Sequence, residues 1–239
     1  MRFIDEHLTT PAMQLACDDV LLDRCDADPA YESLRIWAPS THFVVAGYTN
    51  HILDEVRVDA CVTRGIPLYR RTSGGGTVVQ GPGCLNYSVI LRMERDHALE
   101  NISSTGVYVL ERIGGVVERL TGWPVEQQGH TDLVINGRKF SGNAQRRKNH
   151  AVLFHGTFLL DFDLEIIEDL LPMPTHQPDY REGRSHGEFL MNLGIDGGTL
   201  TDALREEWDA ATDHDPLPFN EIRALAESRY LNHTWTYRF

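Results

Sequence analysis

The stretch from Leu85 to Phe140 constrains this chain more tightly than any other part of it. Leu85, Tyr87, Val89 and Leu91 alternate with their neighbours, which predicts a strand with one apolar face. Val107, Leu110, Ile113, Val117 and Leu120 then recur at helical spacing, predicting a helix over Ser104 to Leu120 that ends at Gly122-Trp123-Pro124. Asn136-Gly137 follows inside an apolar run from Leu133 to Phe140. An Asn-Gly pair supplies the positive φ angles of a two-residue turn, so this run reads as a hairpin. A strand, a long helix and a hairpin in that order point to an α+β domain in which antiparallel strands are prominent.

The flanking segments extend the pattern. Thr10-Pro11 reads as a cap and first helical residue, and Met13, Ala16, Val20 and Leu21 continue an amphipathic helix to Arg24. Short strands are expected at Leu34–Trp37, Phe43–Ala46, Pro67–Arg71 and Thr77–Val79, with a helix over Leu53–Arg64 stopped by Gly65. A second strand pair is expected around Arg146–Asn149, with Val152–Leu160 returning. Further helices are expected at Leu164–Leu171, Leu200–Ala211 and Glu221–Tyr230. Pro172 to Gly198 shows no periodicity, and so long an irregular stretch reads as a functional loop.

Composition narrows the function. A net charge of −13 argues against a nucleic-acid binder, which needs a basic face. No apolar run approaches the roughly 20 residues that span a bilayer, and the N-terminus lacks the basic and apolar regions of a signal peptide. The four cysteines, Cys17, Cys25, Cys61 and Cys84, form no CxxC pair. Free thiols in a reduced cytoplasmic setting are the expectation. The eleven histidines show no ligand spacing that would signal a metal or heme site.

Two segments carry chemistry. In Arg70-Arg71-Thr72-Ser73-Gly74-Gly75-Gly76-Thr77, three glycines let another molecule approach the main chain, and their N–H groups with the arginines could wrap a phosphate or carboxylate. A glycine triplet alone fits a flexible turn equally, and no Gly-Lys-Ser/Thr follows to make it a Walker loop. In Gly137-Arg138-Lys139-Phe140-Ser141-Gly142-Asn143-Ala144-Gln145, small residues leave room beside the lysine amine. By itself a lysine after a tight turn also fits a solvated surface charge.

Taken together, RRTSGGGTV, then DLVINGRKFSGNAQ, then HGTFLLDFD resemble the lipoate-protein ligase and octanoyltransferase branch of the biotin/lipoate protein ligase family. Met13 to Leu22 resembles the family's N-terminal helix, where Asn-Leu-Ala-x-Asp-Glu is usual. Ser228 to Phe239, with Tyr230, Trp235 and Tyr237, is similar to the segment that closes its catalytic domain. The biotin branch carries a different, GRGR-like loop.

The resemblance implies a catalytic domain over residues 1–239 with mixed, mostly antiparallel sheets packed with helices, and without the accessory domain that follows in single-chain ligases. It implies that lipoate attacks the α-phosphorus of ATP with Mg2+, and that a lysine of a carrier (a lipoyl domain or a GcvH-like protein) then attacks the lipoyl-AMP. Lys139 would be catalytic, touching carbonyl oxygen and phosphate. Arg71, Ser73, Gly74, Gly75, Gly76 and Thr77 would line the acyl and phosphate pocket, and Asp132 would lie near nucleotide and metal. Ser141, Gly142 and Ala144 would edge the adenylate site, and His155 belongs to the His-Gly-Thr strand.

Departures leave alternatives open. Many relatives carry His-Asp after the glycines, whereas this chain reads Gln80-Gly81-Pro82-Gly83-Cys84-Leu85-Asn86. Asn86 is therefore a candidate pocket residue or a strand-surface residue. A cysteine-dependent octanoyl or lipoyl transferase needs a thiol in the loop before Gly-Arg-Lys, which here reads Gln127-Gln128-Gly129-His130-Thr131-Asp132. A non-catalytic lipoate-binding paralogue is the third reading. Arg138, Arg146, Arg147 and Lys148 form a basic cluster on which a carrier could dock, and a separate accessory subunit is a further expected partner.

Overall fold

A computed structural model describes residues 1–210 and 216–239. Its elements run β1 (Arg2–Ile4), α1 (Pro11–Ala27), β2 (Ser33–Trp37), β3 (Phe43–Ala46), α2 (Ile52–Glu55), α3 (Val58–Arg64), β4 (Leu68–Arg70), β5 (Val78–Gln80), β6 (Cys84–Arg92) and α4 (Ile102–Thr121). After them come β7 (Glu126–Gln128), β8 (Asp132–Ile135), β9 (Arg138–Arg147), β10 (Ala151–Leu159), α5 (Glu165–Leu170) and α6 (His186–Phe189). The chain ends with α7 (Gly197–Glu207), α8 (Phe219–Leu225) and α9 (His233–Thr236). A seven-stranded sheet of order β1-β2-β6-β10-β9-β8-β7 lies beside a three-stranded sheet of order β4-β3-β5. Of the strand–strand pairs among the described residues, β1–β2 and β3–β4 are parallel and the rest antiparallel.

The large sheet is covered on both faces. The expected alternation holds: Leu85, Tyr87, Val89 and Leu91 share a core with Val109, Ile113 and Val117 of α4 and with Leu200 and Leu204 of α7. Asn101 caps α4 at Ser104 N, and Gly122 ends it in the left-handed region at φ 72°. Val107, expected on the buried stripe, is 44% exposed, because the stripe centres on Val109, Ile113, Val116 and Val117 instead.

The other face carries α1 and the C-terminal helices. Here the structure corrects the amphipathic reading of α1. Gln14, Asp18 and Asp19 are buried along with its apolar residues, because this helix is enclosed on nearly all sides. Asp18 pairs with Arg35 at 2.6 Å and accepts from Ser88. Asp19 accepts from Thr72 Oγ1, Tyr230 Oη and Arg229 Nη1, tying helix, glycine loop and C-terminal segment together.

Several expected elements differ in outline. The helix over Leu53–Arg64 is two, because Val56 is extended and buried, and Arg57 N–H turns out to Leu170 O. The strand pair near Arg146–Asn149 is one long strand, β9, shared by two hairpins. Pro172–Gly198 is more ordered than expected. A turn at Asp179–Arg181 and helix α6 lie within it, and Asp196 caps α7 at Thr199 N. The expected helix over Leu200–Ala211 is α7, which stops at Glu207; Ala211 lies outside the described residues.

Candidate active site

Cross-strand register places the site. On the α1 face, Ala144 of β9 stands opposite His155 of β10, His155 opposite Ser88 of β6, and Ser88 opposite Arg35 of β2. The next row runs Asp132, Gly142, Thr157, Asn86 and Trp37. A sheet face that would otherwise be apolar is thus crossed by two rows of small and polar side chains, with the glycine loop over one end.

Strict alternation would send Lys139 to the opposite face from Gly142, since the two lie three positions apart. The β8–β9 pairing shifts by one between Leu133 and Val134, however, so that Leu133 faces Ser141 while Val134 faces Lys139. Phe140 is the extra residue of a β-bulge, and it goes into the α4-side core. The bulge brings Lys139 onto the face of Asp132 and Gly142. There Lys139 Nζ lies 2.7 Å from Asp132 Oδ1, and the lysine side chain is 24% exposed. A Cβ on Gly142 would sit 2.9 Å from both Cε and Nζ of Lys139, so the missing side chain is what makes room for the amine. Tyr180 Oη donates to Asp132 Oδ2 at 2.8 Å.

The glycine loop is held from within. Arg71 is buried, and its guanidinium donates to Gly74 O, Gly76 O and Ser73 Oγ, at 2.6, 2.8 and 3.1 Å. Five N–H donors on a rigid fork suit Arg for holding carbonyls around a curved loop. Burial lowers the Arg71 pKa to about 10. Gly75 takes φ +88°, and an added Cβ would lie 2.9 Å from Arg71 Nη2 and 3.7 Å from that of Ala144. Arg71 therefore shapes the loop from inside, whereas Gly74, Gly75 and Gly76 are exposed. Thr77 Oγ1 is buried without a hydrogen-bond partner.

Ser73 Oγ lies 2.7 Å from His155 Nε2. Burial, and secondarily the Arg71 charge, lowers the His155 pKa to about 3. The imidazole is therefore neutral at physiological pH, and it shares a hydrogen bond with the Ser73 hydroxyl, which also accepts from Arg71 Nε. Ser141 is buried and donates to Asn143 Oδ1 at 3.2 Å. Asn86 is neither exposed nor free: its amide donates to Gln80 Oε1, and its carbonyl accepts from Thr157 Oγ1.

Residues that sequence reasoning did not single out complete the frame. Asn143 accepts from Tyr87 Oη and donates to Thr131 O, on the opposite face of β9 from Gly142. Gly156 permits this, since its Cβ would fall 1.7 Å from Asn143 Oδ1. Gly47 lets Gly75 O approach to where a Cβ would be 1.9 Å away. A glycine directly after the Phe43–Ala46 strand was the available signal for Gly47. Arg146 donates to Thr72 O, and Arg147 to Leu99 O and Thr105 Oγ1, so the expected basic cluster is largely spent on holding loops. Arg138 donates to Leu190 O, and Lys148 pairs with Asp23.

All four cysteines are buried. Burial pushes the Cys17, Cys25 and Cys84 thiols up to about 12 and raises that of Cys61. Among the described residues, no three His, Cys, Asp or Glu side chains cluster as a metal cage, and no helix is long and apolar enough to cross a membrane.

Residues 10–204 match the lipoyl protein ligase A/B catalytic domain. The chain belongs to that family. It is 25% identical to the lipoate-protein ligase LplJ of Bacillus subtilis, over 99% of this chain and 73% of the relative. It is also 24% identical to the octanoyltransferase LipM of the same organism, over 99% of this chain and 98% of LipM. The fold agrees with that of a lipoate-protein ligase A solved with ATP, at TM-score 0.83 and 21% identity over 99% of both chains. It agrees equally with a structure from an archaeal lipoylation system, a bi-partite lipoate protein ligase and its E2 lipoyl domain from Thermoplasma acidophilum, at TM-score 0.82 and 22% identity over 99% of this chain and 96% of that one. The expected α+β architecture is thereby borne out.

Proposed function

We propose that this protein is an ATP-dependent lipoate-protein ligase. It joins lipoate to AMP with release of pyrophosphate, then passes the lipoyl group to a lysine of a carrier protein. The observation that carries this choice over a thioester route is the state of the thiols. A nucleophilic cysteine needs exposure and a lowered pKa, and these four have neither.

The roles follow from placement. Lys139 would hold the carbonyl oxygen and phosphate of the mixed anhydride, where a fixed cation stabilises charge that develops as the amine attacks. The exposed glycine loop would receive the phosphate through its N–H groups, with Arg71 keeping the loop in shape. Neutral His155 and Ser73 would offer hydrogen bonds at the acyl end without adding charge. Asp132 is a single carboxylate, which suits a Mg2+ that arrives with the nucleotide, since this ion is usually held by one or two carboxylates plus substrate phosphates. When bound, the ion would supply neutralisation of phosphate charge. A lipoyl domain or GcvH-like carrier in a reducing cytoplasm completes the reading. The T. acidophilum lipoylation system, which pairs a lipoate protein ligase with its E2 lipoyl domain, supports that partner class.

The relatives named octanoyltransferase keep a second reading in play. Mass spectrometry of a lipoyl domain incubated with enzyme and lipoate, with and without ATP and Mg2+, separates the two. Modification only with ATP supports the ligase. Modification only from an acylated carrier, through an acyl–enzyme thioester, overturns it.

A further inference from the structure

The segment from Pro178 to Met191 is strapped to the lysine hairpin at several points. Arg184 Nη1 donates to Gly137 O at 3.0 Å, Arg138 Nη2 to Leu190 O at 2.5 Å, and Met191 N to Lys139 O at 2.9 Å. Leu190 also pairs with Lys139 in an isolated parallel bridge. One side chain of this segment enters the site. Tyr180 donates to Asp132 Oδ2 at 2.8 Å, while Oδ1 of the same carboxylate lies 2.7 Å from Lys139 Nζ.

The ring of Tyr180 is seated independently of its hydroxyl. Its centroid is 5.1 Å from that of Phe189, which is itself flanked by the Arg181 and Arg184 guanidiniums at 4.7 and 5.3 Å. Gly129 takes φ +56°, and a Cβ there would lie 3.5 Å from Tyr180 Cε1 and 3.3 Å from Pro178 Cβ, so the ring edge also lies close to this turn. The ring is thus seated against Phe189, and its hydroxyl is directed at Asp132. A carboxylate on a strand end turns about its last torsion unless both oxygens are engaged. With Tyr180 holding Oδ2, Oδ1 is directed at the ammonium.

We propose that Tyr180 is a positioning residue for Lys139, acting through Asp132. The proposal rests on the reading that Lys139 acts on the reacting carbonyl and phosphate. Tyr180→Phe removes the hydroxyl and keeps the ring on Phe189, so the segment stays docked. Transfer from preformed lipoyl-adenylate to the carrier falls about tenfold in kcat, the scale expected for one hydrogen bond to a charged group, and KM for the carrier stays within twofold. In an Asp132→Asn background the same substitution adds less than a twofold loss, since the path through the carboxylate is already cut. A tether that merely holds the segment would cost the same factor in both backgrounds, and that result overturns the proposal.

A second readout does not depend on activity. The chain contains two lysines, Lys139 and Lys148, so lysine-selective 15N and 13C labelling gives one side-chain signal for each. Tyr180→Phe shifts the Lys139 signal and leaves that of Lys148 in place. An unmoved Lys139 signal refutes the positioning role. If wild-type protein uses neither lipoate with ATP nor lipoyl-adenylate, the ligase reading fails, and the lysine signal still decides what Tyr180 does.

Discussion

Gly142→Ala separates the position of Lys139 from the stability of the fold. The new Cβ would stand 2.9 Å from Cε and Nζ of Lys139. Ordinary contact begins about 0.5–1 Å further out, and the atom that must retreat is the end of a flexible, 24% exposed side chain. Moving it lengthens the 2.7 Å pair with Asp132. Removing a glycine from a strand also lowers the entropy of the unfolded chain, worth about 0.4–1 kcal/mol in favour of the fold. The two effects on stability nearly cancel, so the melting temperature should move by no more than about 3 °C. A displacement of this size at a group that must meet the reacting atoms costs about 10- to 100-fold in rate. Thermal unfolding by circular dichroism and carrier modification by mass spectrometry measure the two quantities. Activity within twofold of wild type at an unchanged melting temperature would show that the place of the lysine does not limit the reaction.

Gly156→Ala should do the opposite and destabilise by about 3 kcal/mol or more, because its Cβ meets the half-buried, hydrogen-bonded Asn143 amide and the Tyr87 ring; urea unfolding measures it. His155 lowers stability in acid. Its folded pKa near 3 lies below the ordinary 6.5, so its contribution is complete above pH 6.5 and declines by about 1.4 kcal/mol per unit as pH falls toward 3. His155→Asn should flatten that slope, and equal pH dependence in both proteins would refute it. Cys84→Ala should retain ATP-dependent lipoylation, and N-ethylmaleimide should not inhibit the native protein; loss in either case would restore the thioester route. Lys139→Ala should leave the circular dichroism spectrum intact while lowering turnover by about 10²–10³, and a loss under tenfold would make it a surface charge.

The parts of this protein legible in its sequence are those with local causes. The alternation of Leu85 to Leu91 and the Asn136-Gly137 turn depend on backbone period and turn angles, which neighbouring residues settle. The core of α4 was legible too, with an error of phase that put Val107 inside, because spacing locates a stripe only to within a residue or so. The glycine run and Lys139 marked where chemistry could sit. What they touch was decided elsewhere. Phe140 bulges because the α4 core takes its ring, and that one-residue slip carries Lys139 to the face of Asp132. Arg71 turns inward because the carbonyls of its own loop surround it, and Tyr180 reaches Asp132 from a stretch with no periodicity at all. Asp18 and Asp19 look like the polar face of a helix until the sheet and the C-terminal segment enclose them. Local sequence sets which backbone angles are cheap. Which face a side chain takes, and which charge it meets, is set by packing between segments far apart in the chain.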